Sequence, residues 1–250
     1  MKINQNQSIT KVIFLKLIIA LAVATTLFSC EDNFIRASGD IETREYSFSE
    51  FNSIEVSNDF NVYVHFTEGE ESVEIEANSN VFKAIRIDQE GSNLKIRLKN
   101  FVVIKGKETL NVYISAKNIT NYKVSTDAKI ELEDALISNN VFIEAFANGS
   151  FKGEIDVENI EVKLSADSKV DVFGSATKLK AKLTADSELR NYDLEVEDLN
   201  INLLADSRAY LSVSNTIDVV AKANSRLYYK GDAKITHEKV NSGSKLIHKD

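Results

Sequence analysis

Apolar and polar positions alternate along most of this chain, and polar turns break the alternation at a nearly constant interval. Ala166-Asp167-Ser168 returns as Ala185-Asp186-Ser187 and as Ala205-Asp206-Ser207. Ala223-Asn224-Ser225 is a close variant, and Thr126-Asp127-Ala128 and Ala147-Asn148-Gly149 are looser ones. The Asp/Asn positions 127, 148, 167, 186, 206 and 224 are separated by 21, 19, 19, 20 and 18 residues. Three residues before each stand Val124, Ala145, Leu164, Leu183, Leu203 and Ala221; three after stand Ile130, Phe151, Val170, Leu189, Ala209 and Leu227. Alternation at period two on both sides of a polar break is strand, turn, strand, with alternate side chains facing one interior. The three- and four-residue spacing of a helix is not sustained. A unit of this length, copied along an axis and without room for a helix, makes a coil of short parallel strands. The expectation is all-β: a single-stranded parallel β-helix, or solenoid, with rungs of 18–21 residues.

Upstream of the repeats the texture changes to alternating runs joined by turn residues. Asn61–Phe66 leads through Glu68-Gly69-Glu70 into Val73–Glu76, and Ile85–Ile87 leads through Glu90-Gly91-Ser92 into Leu94–Leu98. Both read as hairpins elaborating the N-terminal part. Ile54, Val56, Asp59, Val62 and Val64 match the rung spacing, so the coil can begin there. The last unit, Val240 to Leu246, is more polar, as a terminal cap should be.

Composition agrees. Proline is absent from 250 residues, where average usage would give about 12. A stacked parallel sheet needs each backbone N–H for the neighbouring rung, and proline has none to give. With only nine glycines, the turns must be made by Asp, Asn and Ser, which tolerate left-handed backbone.

The N-terminus carries a different signal. Lys2, Lys11 and Lys16 precede an apolar run, Leu17 to Phe28, that ends at Leu27-Phe28-Ser29-Cys30. The run is short for a permanent span and has the layout of a secretory signal. Its end resembles the lipobox of bacterial lipoproteins, and Cys30 is the single cysteine of the chain. The expected organisation is a lipoprotein signal peptide over 1–29, a lipidated tether over 30–41 and one β-helix domain over 42–250. Cys30 is the expected lipidation site and the membrane the expected partner through that lipid. Removing residues 1–29 takes away three lysines and no acid, so formal charge moves from −8 to −11. That excludes nucleic acid as a natural partner, since phosphate backbones select clustered Lys and Arg. Glu31 and Asp32 resemble surface-export signals of Bacteroidetes lipoproteins; a solvated start to the tether is the other reading.

Phe51-Asn52-Ser53-Ile54-Glu55-Val56 with Phe60-Asn61-Val62 resembles the start of the bacterial putative auto-transporter adhesin, head GIN domain family. Leu227-Tyr228-Tyr229-Lys230-Gly231-Asp232, followed by Asn241-Ser242-Gly243-Ser244, resembles its close. The resemblance spans roughly residues 45–247. It implies a right-handed parallel β-helix on a secreted or lipid-anchored protein with an adhesin role. One departure stands out: the family commonly places Gly-Ser-Gly at the turn, where this chain has Ala-Asp-Ser.

The chemical inventory is poor in enzyme machinery. His65, His237 and His248 share no ligand spacing, and no phosphate loop or nucleophile elbow appears. No cofactor or metal is expected. The one recurrent constellation is the turn ladder Asp127, Asn148, Asp167, Asp186, Asp206 and Asn224. Rungs about 4.8 Å apart would stack these into a column of like charge. It reads either as turn chemistry, partly neutralised by Lys169, Arg208 and Arg226, or as a contact ladder for a cation or sugar hydroxyls. Two functions follow: a lipid-anchored, outer-membrane envelope protein whose β-helix face binds a glycan or a host or envelope protein, or a lyase-like polysaccharide enzyme on the same fold.

Overall fold

A computed structural model describes residues 33–250. It is a β-solenoid of parallel stacked strands, as the period predicts. The regular part is built from β10 (Asn121–Ser125), β11 (Lys129–Leu132), β12 (Leu136–Phe146), β13 (Ser150–Ser165), β14 (Lys169–Thr184), β15 (Glu188–Leu204) and β16 (Arg208–Lys222). It closes with β17 (Arg226–Lys230), β18 (Lys234–Val240) and β19 (Lys245–His248). Each long strand wraps round one rung and pairs in parallel with its copy in the next.

The inward phase follows the sequence. Leu164 pairs with Leu183 and Leu183 with Leu203, and all three are buried on one wall. Phe151, Val170, Leu189, Ala209 and Leu227 form the matching stack on the wall after the turn. The unequal repeat spacing has a local cause. Asp171 pairs with Arg190 but Gly174 pairs with Leu194, so the extra residue of the 20-residue unit is absorbed at a bulge. The shorter last interval is absorbed at two irregularities on β15, between Arg190 and Glu195 and between Val196 and Asp198. The turns and the inward positions next to them keep register from rung to rung. Gly174 has φ +107°, and a Cβ there would run into the Ile155 carbonyl of the neighbouring rung.

The coil does begin at the Ile54 segment. β3 (Ser53–Ser57) and β4 (Asn61–Phe66) pair with β10 and β11 and complete one more rung. Residues 67–120 are an excursion that builds the N-terminal end: β5 (Ser72–Asn78), a 3-10 turn at Phe82–Ala84, β6 (Ile85–Glu90), β7 (Asn93–Leu98), β8 (Val102–Lys105) and β9 (Leu110–Ala116). β6 and β7 form the predicted hairpin, with Gly91 at φ +60° in its turn. The other predicted hairpin is not formed. β9 pairs in parallel with β4 and antiparallel with β5, so it lies between them. The alternation of β5 satisfies either neighbour, but only β9 aligns Val112 with Val62 and Ile114 with Val64 in the rung stack.

The segment expected as tether is also more ordered than its lack of periodicity suggests. β1 (Asn33–Arg36) pairs in parallel with β8, and β2 (Ile41–Tyr46) pairs antiparallel with β5 as the edge of the sheet. Between them the Asn78 and Asn80 side chains donate to the carbonyls of Ser38 and Arg36 at 2.7 and 2.8 Å, strapping this stretch to the domain. The signal segment and Cys30 lie outside the described residues. Among the described residues no helix is long and apolar enough to cross a membrane.

Placing a charge inside the shared wall should be far worse than leaving a hole. Leu183→Ala should cost about 2–5 kcal/mol, and Leu183→Asp more than about 4 kcal/mol because an unpaired carboxylate would be buried. Urea unfolding of both variants checks this; a near-wild-type midpoint for Leu183→Asp would mean the inward phase is misassigned.

Candidate functional site

The turn ladder forms as a continuous column. Both residues of each turn have positive φ: Thr126-Asp127, Ala147-Asn148, Ala166-Asp167, Ala185-Asp186, Ala205-Asp206 and Ala223-Asn224, with Asn58-Asp59 before them and Ser242-Gly243 after. Each Asp or Asn amide donates to the carbonyl of the following turn, as from Asp186 to Ala205 and from Asp206 to Ala223, both at 2.9 Å. The third residue of the phrase is the buried one. Ser168, Ser187, Ser207 and Ser225 are fully enclosed. Each of the first three accepts the amide three residues back, and Ser168 donates across the rung to the Ala145 carbonyl at 2.9 Å. Sequence reading singled out the carboxylates and took these serines only as turn formers; their signal was recurrence two residues after the alanine that opens each turn.

The side chains of the ladder point to solvent. Asn148 donates to Asp127 at 3.1 Å, Asn224 donates to Asp206, and Arg226 reaches Asn224 at 3.2 Å. Among the described residues no three His, Cys, Asp or Glu side chains are grouped to hold a metal ion. At the N-terminal end of the column, desolvation and then the charge of Asp127 push the Asp59 carboxyl above its ordinary value. Glu108 is raised in the same way, by desolvation and then by Asp59. The histidines stay apart. His65 pairs with Asp134 at 2.7 Å, His237 with Asp218 at 2.9 Å, and His248 stacks on Tyr229.

A different corner offers the best binding geometry. Where each rung bends between its two walls, a groove of about 720 Å³ runs along the solenoid axis. Its floor is the backbone of Val141, Ile160, Leu179 and Leu199, whose side chains face the core. One bank is the column Asn140, Asn159, Lys178, Asp198 and Thr216; the other is Phe142, Glu161, Lys180, Asn200 and Asp218. Five rungs give the groove a length of about 19 Å. Sequence reading missed it because, after Asn140 and Asn159, these positions share no residue identity from rung to rung.

Cross-rung bonds hold the banks in place. Asn159 donates to Asn140 at 3.2 Å, Thr216 and Asn215 donate to Asp198 at 2.5 and 2.9 Å, and Asn200 donates to Asp218 at 3.4 Å. Glu161 lies 3.3 Å from Lys163 and 3.5 Å from Lys180. Desolvation resists ionisation of Glu161, but hydrogen bonds and charge from these two lysines outweigh it and hold the carboxyl below its ordinary value. Lys163 also sits over the Phe142 ring, 4.8 Å from its centre. The groove thus offers amide, hydroxyl, ammonium and carboxylate groups in both hydrogen-bonding senses, with one aromatic face at an end.

On the wall after the turn, Tyr192, Tyr210 and Tyr228 form an aromatic run. Tyr210 and Tyr228 stack at 4.8 Å with 2° between planes, and Tyr192 meets Tyr210 edge-on. Lys230 and Lys249 lie over the rings of Tyr192 and Tyr228.

The family model described as putative auto-transporter adhesin, head GIN domain matches residues 50–233. No match was found among curated proteins. Several solved structures share the fold, among them the following three. A putative adhesin from Bacteroides fragilis NCTC 9343 is 16% identical with a TM-score of 0.80, covering 86% of this chain and 99% of that one. A putative adhesin from Parabacteroides merdae ATCC 43184 is 14% identical with a TM-score of 0.70, over 87% and 100%. A putative lipid binding protein from Parabacteroides distasonis ATCC 8503 is 16% identical with a TM-score of 0.69, over 87% and 100%. At such identities the likeness is one of fold.

Asp59 gives a test of the column's electrostatics. Its raised folded-state pKa means that a stabilising contribution is present below the ordinary value near 3.8 and lost as pH rises through the folded value. Asp59→Asn keeps a residue that tolerates left-handed backbone and removes the charge. It should raise Tm at pH 7 by roughly 1–3 °C and leave Tm unchanged at about pH 3. Calorimetry at both pH values checks this, and an equal shift at both would contradict it.

Proposed function

The chain belongs to the putative auto-transporter adhesin, head GIN domain family, and from that premise we propose a lipid-anchored cell-envelope protein that binds an extended glycan along the corner groove. The observation that carries the ligand class is the pair of polar columns lining five successive rungs. Sugar hydroxyls both donate and accept, so they suit a surface where amides, carboxylates and ammonium groups alternate. The groove balances acids against lysines, which favours a neutral or weakly charged polymer over a polyanion. Preformed cross-rung bonds mean little ordering is required on binding. The anchor rests on the basic and apolar N-terminal signal ending at Cys30, the chain's single cysteine. It supports an outer-membrane address, facing the surface or the periplasm.

A glycan array should therefore return extended polysaccharides. Asn159→Ala/Asn200→Ala removes one amide from each bank and should weaken binding at least about tenfold, as expected for two lost hydrogen bonds, with Tm nearly unchanged. Tyr210→Ala, on another wall, should bind as wild type. Loss with Tyr210→Ala but not with the groove variant would move the site to the tyrosine run. Cleavage of any retained polysaccharide would replace the binding reading with the lyase-like one.

Anchoring is checked separately. Cys30→Ser should shift the protein from the membrane to the soluble fraction and abolish labelling with a fatty-acid probe. Unchanged membrane association would overturn the lipid anchor.

A further inference from the structure

The small sheet formed by β1 and β8 has two unlike faces. Phe34 pairs with Val103 and Arg36 with Lys105, so these four side chains share one face, and all four are exposed. Ile35, Val102 and Ile104 occupy the other and pack against the core. Phe34 is 53% exposed, Val103 51%, and Phe101, just before β8, is 80% exposed. The Lys105 ammonium lies over the Phe34 ring, 4.3 Å from its centre. Large apolar side chains in front and two cations behind form the pattern of a surface seated in a membrane interface, rings among the acyl chains and cations at the phosphates.

Position in the chain names the occupant. Only Glu31 and Asp32 separate Cys30 from Asn33, which is paired into the domain. Covalent reach from Cys30 to Phe34 is at most about 14 Å. The strap of Asn78 and Asn80 onto residues 36–38 leaves no slack behind that point. A lipid on Cys30 therefore holds this face within about 14 Å of the anchored residue.

We infer that the outward face of the β1–β8 sheet, with Phe101, docks into the lipid interface beside the anchor and fixes how the solenoid stands on the membrane. The inference rests on lipidation of Cys30. It goes beyond anchoring in assigning a second, non-covalent membrane contact and a defined orientation.

The chain has no tryptophan, so a single introduced one is a unique reporter. Phe34→Trp protein expressed with its own N-terminal signal would be purified from membranes and reconstituted into phosphatidylethanolamine–phosphatidylglycerol vesicles carrying bromine-labelled acyl chains, with Leu204→Trp, exposed on β15, as the distant control. Co-sedimentation tests the anchor first. Failure to co-sediment overturns lipidation, and with it this contact. With the protein bound, Phe34→Trp emission should shift to the blue and fall by roughly twofold or more on bromine quenching, as for an interfacial aromatic, while Leu204→Trp should be untouched. Val103→Trp provides a second reporter should the first variant fold poorly. Bound protein in which neither reporter is quenched more than Leu204→Trp overturns the docking face and leaves the anchor standing.

Discussion

Everything in this fold hangs on a column of left-handed turns. An L-residue in that conformation costs about 1–2 kcal/mol, and each repeat asks it of two residues in a row. The cost is offset because the turn is never isolated. Its amide is held by the next turn's carbonyl, and a buried serine closes it from inside. Asp and Asn tolerate the geometry, and Ala presents the smallest Cβ at the other position. A two-residue turn also fixes phase. One residue more or fewer would swing every leucine of the following strand to the outside.

This explains which parts of the structure could be read in advance. Ala-Asp-Ser recurs because the backbone demands it in each rung, so the period, the inward leucines and the polar final rung were legible. The first turn, Asn58-Asp59, was legible only from its flanks, since the 67–120 excursion interrupts the count. The β4–β5 hairpin was misread because alternation reports that a strand has a neighbour without saying which one. The strap around residues 33–40 depends on two asparagine side chains arriving from 40 residues or more away, and no local pattern encodes that. The resemblance to the adhesin family, carried by residues at both ends, agrees with the family match over 50–233.

The groove illustrates the opposite case. Its banks run from Asn through Asn, Lys and Asp to Thr on one side and from Phe through Glu, Lys and Asn to Asp on the other, and so leave no sustained repeat to detect. In a solenoid, sameness marks what the backbone needs and variety marks surfaces free to specialise. The outer wall after the turn follows the same logic. Tyr63, Glu131, Lys152, Asp171, Arg190 and Tyr210 succeed one another along one ladder, with unlike charges set side by side. Each step there answers its neighbours through pairing and not through the core.

Because bulges absorb length differences while turns and inward ladders hold register, the 19-residue unit behaves as an exchangeable part. Duplicating or deleting one copy between Ala166 and Ala205 would change the rod by one ladder step and leave both ends untouched. The number of rungs beside the corner sets the length of the groove. Groove length is thus open to stepwise gain or loss by unequal recombination within the gene, with no redesign of the chemistry at either cap.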